Sequence, residues 1–149
     1  MSSKSENINK LKVLVEQLTI RDTSVFRRKD TLEAILEASS DGLWEWDMEH
    51  GTAFLSPNYK LQLGYKDHEL PNTPETWNDL MLNDDLDKMN CELKKHIDSN
   101  GDYPFRIVAR YKHKNGHEVK ILCRGKVIEW NNNGEPIKMV GMHIDLTNL

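Results

Sequence analysis

The chain has 149 residues, 30 % charged and 38 % apolar, with a net charge of −4. That balance suits one globular domain plus an extension, and it gives no reason to expect nucleic acid or anionic lipid as a partner. No apolar run approaches the ~18 residues a membrane span needs, and residues 1–7 lack the basic-then-apolar order of a signal peptide; a cytoplasmic chain with no span in this segment is expected.

Residues 5–28 carry Ile8, Leu11, Val15, Leu18 and Val25 at three- and four-residue steps, with Lys, Glu, Gln and Arg between them. This is the stripe of an amphipathic helix. The stripe is too narrow to be a core, and Asp22 interrupts it. It either folds back or pairs with a second copy as a short coiled coil; pairing, hence a homodimer, is the expectation. A break near Arg27-Arg28-Lys29-Asp30 should precede a second helix, Thr31 to Ala38, so that residues 1–28 form a dimer helix and 29–149 a separate domain.

Ser39-Ser40-Asp41-Gly42 ends that helix, glycine being favoured just past a helix end. Leu43 to Met48 alternates, with Trp44, Trp46 and Met48 on one side and Glu45 and Asp47 on the other, as in a half-buried strand. Glu49-His50-Gly51 turns into a second strand, Thr52–Leu55. Ser56-Pro57 reads as a helix start, with Ser as cap and Pro at the first position; the helix runs to Leu63 and Gly64 stops it. Residues 65–83 read as irregular, with a short helical turn around Trp77–Met81. Asp84 or Asp85 should then cap a helix to about Ile97, with Leu86, Met89, Leu93 and Ile97 inward. Three strands remain, Tyr103–His113, Glu118–Trp130 and Pro136–Asp145, joined by turns at Asn115-Gly116 and Asn133-Gly134. Asn-Gly between alternating strands is a strong hairpin signal, so the chain closes in an antiparallel meander.

Chemistry-bearing residues are sparse. Asp84, Asp85 and Asp87 cluster at a helix start, where carboxylates cap free amides and meet the positive end of the dipole. His50, His68, His96, His113, His117 and His143 fall mostly in turns or at helix and strand ends, where a solvated imidazole is expected, and show no metal-ligand spacing; Cys91 and Cys123 form no CxxC. No nucleophile elbow or phosphate loop is present. No metal site and no enzymatic activity are expected.

From Thr31 to Leu149 the chain resembles a PAS domain with its C-terminal PAC motif. The marks are Asp41-Gly42-Leu43-Trp44-Glu45-Trp46-Asp47, a Trp-Glu-Trp-Asp first strand; Ser56-Pro57 running to Leu63-Gly64-Tyr65; Asp84-Asp85; Phe105-Arg106 leading to Lys114-Asn115-Gly116; and Gly141 followed by Asp145-Leu146-Thr147. The resemblance implies an α+β fold, with a five-stranded antiparallel sheet in the order 2-1-5-4-3 and short helices on one face. It further implies a sensory and dimerisation module of a bacterial signalling protein. Such a module detects a small ligand or partner and passes a conformational change, through Asp145 and Thr147, to an output domain such as a histidine kinase or cyclic-di-GMP enzyme. The stop just after Thr147 fits an output domain beyond it. The alternative is a ligand-free protein-interaction module with a side-chain-filled core.

The same resemblance frames the cofactor question. Residues 65–83 hold no cysteine and Cys91 lies within the long helix, so covalent flavin photochemistry is not expected. Lys88, Met89 and Asn90 stand where haem members place their iron-ligating histidine, so haem is not expected either. Non-covalent flavin or a small metabolite stays open. The position two after Gly141 faces the cavity in flavin-binding relatives; here it is His143, either a ligand contact or a solvent-facing imidazole. Trp44 and Trp46 serve as core, and with Tyr111, Ile121, Cys123 and Met139 they are the candidates to line whatever cavity remains.

Overall fold

The structure, a computed structural model, describes the backbone of residues 2–147 and the side chains of residues 5–14 and 28–147. It divides between Ser39 and Ser40 into a helical unit and a sheet unit. The first is one helix, α1 (Ser2–Ser39), unbroken through Arg27–Asp30 where a break was expected. That tetrad holds no glycine or proline, and Arg and Lys are good helix formers; charge alone does not stop a helix. Positions 8, 11, 15, 18, 22, 25, 29, 32 and 36 form one heptad series in the sequence, so Leu32 and Leu36 continue the stripe begun by Ile8 and Leu11. Ile8, Leu11 and Leu32 are exposed. The side chains of Val15, Leu18 and Val25 lie outside the described residues.

Ser40, with φ 61°, takes the left-handed conformation that follows α1. The sequence assigned that work to Gly42, which instead opens β1 and is needed for closeness: a Cβ there would stand 2.7 Å from the Tyr59 Cα.

The second unit follows the expected order: β1 (Gly42–Asp47), β2 (Thr52–Leu55), α2 (Pro57–Gln62), a 3-10 turn (Asp67–Glu69), α3 (Pro74–Leu80), α4 (Asn83–Asp98), β3 (Phe105–Lys112), β4 (Glu118–Trp130) and β5 (Pro136–Asp145). The segment 65–83 is more regular than its composition suggests, because Pro74 sits at the first turn of α3, where its missing N–H costs nothing. Ser56 caps α2 by accepting from the Tyr59 N–H.

The five strands form one antiparallel sheet in the order β2-β1-β5-β4-β3. Strict alternation in β3 sends Phe105, Ile107, Ala109 and Tyr111 inward. Trp44 pairs with Gly141, which pairs with Gly125. These two glycines make the floor on which the Trp44 indole lies: a Cβ on Gly125 would stand 2.7 Å from the ring, and one on Gly141 would overlap it. Among the described residues no helix is long and apolar enough to cross a membrane.

Two polar side chains lock α4 to the sheet. Asp85 was expected at a cap, but the N-cap position is Leu82 and no side chain caps the helix. The Asp85 carboxylate is buried (3 % exposed) and accepts from the Arg110 backbone N–H at 2.7 Å, from Nε at 2.9 Å and from Nη2 at 3.1 Å. The Arg110 hydrogen bonds hold its pKa below the ordinary 3.8. Asp85→Ala is therefore expected to cost about 2–3 kcal/mol, since a buried N–H and a half-buried guanidinium lose their acceptor; urea denaturation of the two chains measures it, and a loss below about 0.5 kcal/mol would refute the lock. The pair supports folding at every pH above the unfolded carboxyl's 3.8 and loses it as pH falls through the lower folded value.

His96, expected to be solvated, is 1 % exposed. Its Nε2 accepts from the Val127 N–H at 3.1 Å and its Nδ1 lies 2.6 Å from the Tyr103 carbonyl, which assigns the proton to Nδ1.

Candidate functional site

Between the inner sheet face and the helices lies a cavity lined mainly by aromatic rings. Trp44 and Trp46 of β1, Phe105 and Tyr111 of β3, Cys123 of β4 and Met139 and His143 of β5 line it from the sheet, and Tyr59 of α2, Trp77 of α3 and Met89 and Leu93 of α4 line it from the helices. The residue pattern explains the convergence: every one of these strand residues sits at an inward position of an alternating strand. Trp46 meets Trp77 edge to face at 5.3 Å and Trp44 meets Phe105 at 6.3 Å.

Of the residues the sequence singled out, Trp44, Trp46, Tyr111, Cys123, Met139 and His143 line this space. Ile121 does not. It is fully buried, paired with Ala109 and Asp145, and belongs to the packed core rather than to the cavity wall. Asp145 accepts from the Thr147 N–H at 2.8 Å, forming a tight turn at the end of β5. The helix residues Tyr59, Trp77, Met89 and Leu93 were not legible as cavity wall, although Met89 and Leu93 were legible as the inner face of α4.

His143 is the chemical centre. It is fully buried, stacked on Tyr59 at 3.9 Å between centroids and edge-on to Tyr111 at 4.9 Å. Burial pulls its pKa down to about 3, so the ring is neutral at neutral pH. Gln62 of α2 fixes its tautomer. The Gln62 amide nitrogen donates to the His143 carbonyl at 2.8 Å and to the Ser40 carbonyl at 3.2 Å, which turns Oε1 towards His143 Nδ1 at 3.1 Å. Nδ1 must then carry the proton, leaving Nε2 a bare lone pair.

Neither that Nε2 nor the Trp44 indole N–H has a hydrogen-bond partner, the indole N–H lying only near the Cys123 thiol. Buried polar atoms are rarely left so. Burial pushes the Cys123 thiol up to about 12, so it is an inert thiol and no nucleophile. Tyr59 and Tyr111 bond to each other through their hydroxyls, and burial raises both above the ordinary phenol range.

The cavity leaves ≈ 30 Å³ open to the centre of a water molecule, and about 10–15 Å³ on that measure holds one water. Room of this size suits a water or a molecule of very few atoms. An isoalloxazine or porphyrin does not fit among Trp44, Trp46 and Trp77 as they are placed.

The model of the PAS fold matches residues 52–143. The chain belongs to the PAS family. A sensory box histidine kinase/response regulator from Burkholderia thailandensis E264 is 32 % identical, with a TM-score of 0.67 over 78 % of this chain and 85 % of that one. The N-terminal domain of a diguanylate cyclase with PAS/PAC sensor from Marinobacter aquaeolei is 18 % identical, with a TM-score of 0.60 over 72 % of this PAS chain and 96 % of that one. A PAS domain from Colwellia psychrerythraea is 18 % identical, with a TM-score of 0.55 over 80 % and 99 %. At 18 % identity the last two speak for the fold alone. No curated protein matches the sequence. The expected strand order and PAS architecture hold in full.

Proposed function

We propose that this PAS chain is the sensory and dimerisation module of a cytoplasmic signal-transduction protein, in which a change of state in the cavity is passed to an output domain of the histidine kinase or cyclic-di-GMP type. The observation that carries the reading is the cavity whose lining residues His143 and Trp44 each hold an unpaired polar atom, within an otherwise apolar wall. A core built only to pack rarely leaves such atoms. The similarity to the sensory box of a histidine kinase/response regulator supports the setting. Asp145 and Thr147, which turn the chain out of β5, are the exit for the signal in this scheme, and no reaction is assigned to the chain. The occupant acts by binding one pose of the domain better than the other; equal affinity for both would signal nothing.

A second reading has its own support. The small size of the cavity favours a side-chain-filled core, with partner binding as the whole function. Native mass spectrometry of the purified chain, with an absorption spectrum from the same sample, separates the two. A small-molecule adduct on each protomer supports sensing, and a bare colourless protein supports contact alone.

Dimerisation is assigned to α1. Its heptad series, with Ile8, Leu11 and Leu32 exposed, is the seam for a second copy. Removal of residues 2–28 is expected to convert a dimer into a monomer by light scattering; an unchanged dimer would overturn the assignment.

A further inference from the structure

Gln62, which no motif marked, makes three hydrogen bonds that join two places far apart in sequence. Its amide nitrogen donates to the His143 carbonyl at 2.8 Å and to the Ser40 carbonyl at 3.2 Å, and its Oε1 faces His143 Nδ1 at 3.1 Å. Ser40 is the residue at which the chain leaves α1, and it is held at a φ of 61°, a conformation disfavoured for a non-glycine residue. His143 is one of the residues around the cavity, and its fully buried Nε2 has no hydrogen-bond partner. One side chain of α2 thus sets the hydrogen-bonding polarity of the cavity and also holds the carbonyl next to the end of α1.

We propose that Gln62 makes the cavity selective for a small neutral molecule that donates a hydrogen bond to His143 Nε2, and that it carries the state of His143 to Ser40. This rests on the reading of the cavity as the seat of the signal. The selection follows from proton bookkeeping. As long as Gln62 donates to two carbonyls, its Oε1 accepts, Nδ1 holds the one ring proton and Nε2 can only accept. An occupant that itself only accepts needs the proton on Nε2. Nδ1 would then be bare and would face the Gln62 oxygen, lone pair against lone pair. The amide must turn over to relieve this, and turning it over withdraws the donor from both the His143 and the Ser40 carbonyls. A donor at Nε2 leaves the bracket closed, and an acceptor opens it. The Trp44 indole N–H, with only a thiol near it, can serve the acceptor end of a molecule that has both functions. Water is the simplest such molecule, and short alcohols and amides extend the class.

The test is nitrogen and carbonyl-carbon NMR on the full chain labelled at histidine and serine, with methanol and formamide as donor probes and acetonitrile as an acceptor-only probe of similar size. His143 is expected to show a protonated Nδ1 and a bare Nε2. Methanol and formamide should shift Nε2 saturably, and acetonitrile should do so only weakly. Ser40 carbonyl shifts should track those of His143 in the native chain and become independent of them in Gln62→Leu, where the preference for donors should also be lost. A proton on Nε2 in the native chain overturns the proposal without any variant, so failure of Gln62→Leu to fold does not protect it. Equal response to all three probes, no saturable response, or a Ser40 signal that still follows His143 in Gln62→Leu also overturns it. None of those results touches the signalling reading, which falls instead if the purified chain carries no adduct.

Discussion

Replacing Gly141 with alanine is expected to cost about 3 kcal/mol of folding stability, the upper part of the range for forcing atoms into a packed core. The new Cβ would overlap the Trp44 indole and the Arg124 carbonyl oxygen, and neither can retreat. The indole is pinned edge to face by Phe105, and the Arg124 carbonyl belongs to the β4–β5 ladder. A loss of that size lowers Tm by roughly 10 °C or more in a domain of about this length. The cause can be isolated with a cycle. Trp44→Phe in the Gly141→Ala background should recover part of the loss, because a smaller ring clears the β-carbon while the carbonyl contact stays. Thermal denaturation of the four chains measures the coupling. Additive losses, or a Gly141→Ala cost below about 0.5 kcal/mol, would show that the indole does not rest on this glycine.

The second large effect is on pH. The folded pKa of His143 is about 3, against 6.5 for a free imidazole, so between those values the unfolded chain takes up a proton that the folded chain refuses. Stability is complete above pH 6.5 and falls with acid at about 1.4 kcal/mol per pH unit until the folded ring titrates. The groups around the ring do not share this window. Tyr59, Tyr111 and Cys123 titrate far above it and Gln62 is neutral. Asp85 adds a loss of the same sign, but only below the ordinary carboxyl value of 3.8. His143→Gln should therefore flatten the dependence between pH 6.5 and 4.5 by one proton's worth, about 2 kcal/mol over the interval. Urea midpoints at three pH values would show it, and parallel slopes in the two chains would mean that the native imidazole is not held neutral.

Much of the fold was legible because its signals are local. The Asn-Gly turns and the alternation on either side of them place β4 and β5 with the bounds the structure gives, and Ser56-Pro57 marks the start of α2. The errors share a cause. A run of like charges at Arg27–Lys29 looks like an interruption only if helix propensity is ignored. Asp85 looks like a cap because the sequence does not show Arg110, 25 residues away, and His96 looks solvated because its partners are the Tyr103 carbonyl and the Val127 amide. Gly42 and Gly141 were read as turn and motif residues, yet their neighbours across space decide their role. The site was half legible. Strand alternation gave the wall from β1, β3, β4 and β5, but Gln62 acts through carbonyls at Ser40 and His143, and no pattern in the chain announces a side chain that bonds to backbone.

The position of His96 has one more consequence, for how the sheet meets other chains. β3 begins at Phe105, opposite Gly125, so the last residues of β4 run on with no strand beside them on that side. An open stretch of amides of this kind is a template for a stranger's backbone. Here the imidazole of α4 takes the Val127 N–H for itself, in the buried interior. A side chain does the work of a missing strand, and the overhanging end of β4 is closed to self-association at that donor before a second molecule can find it.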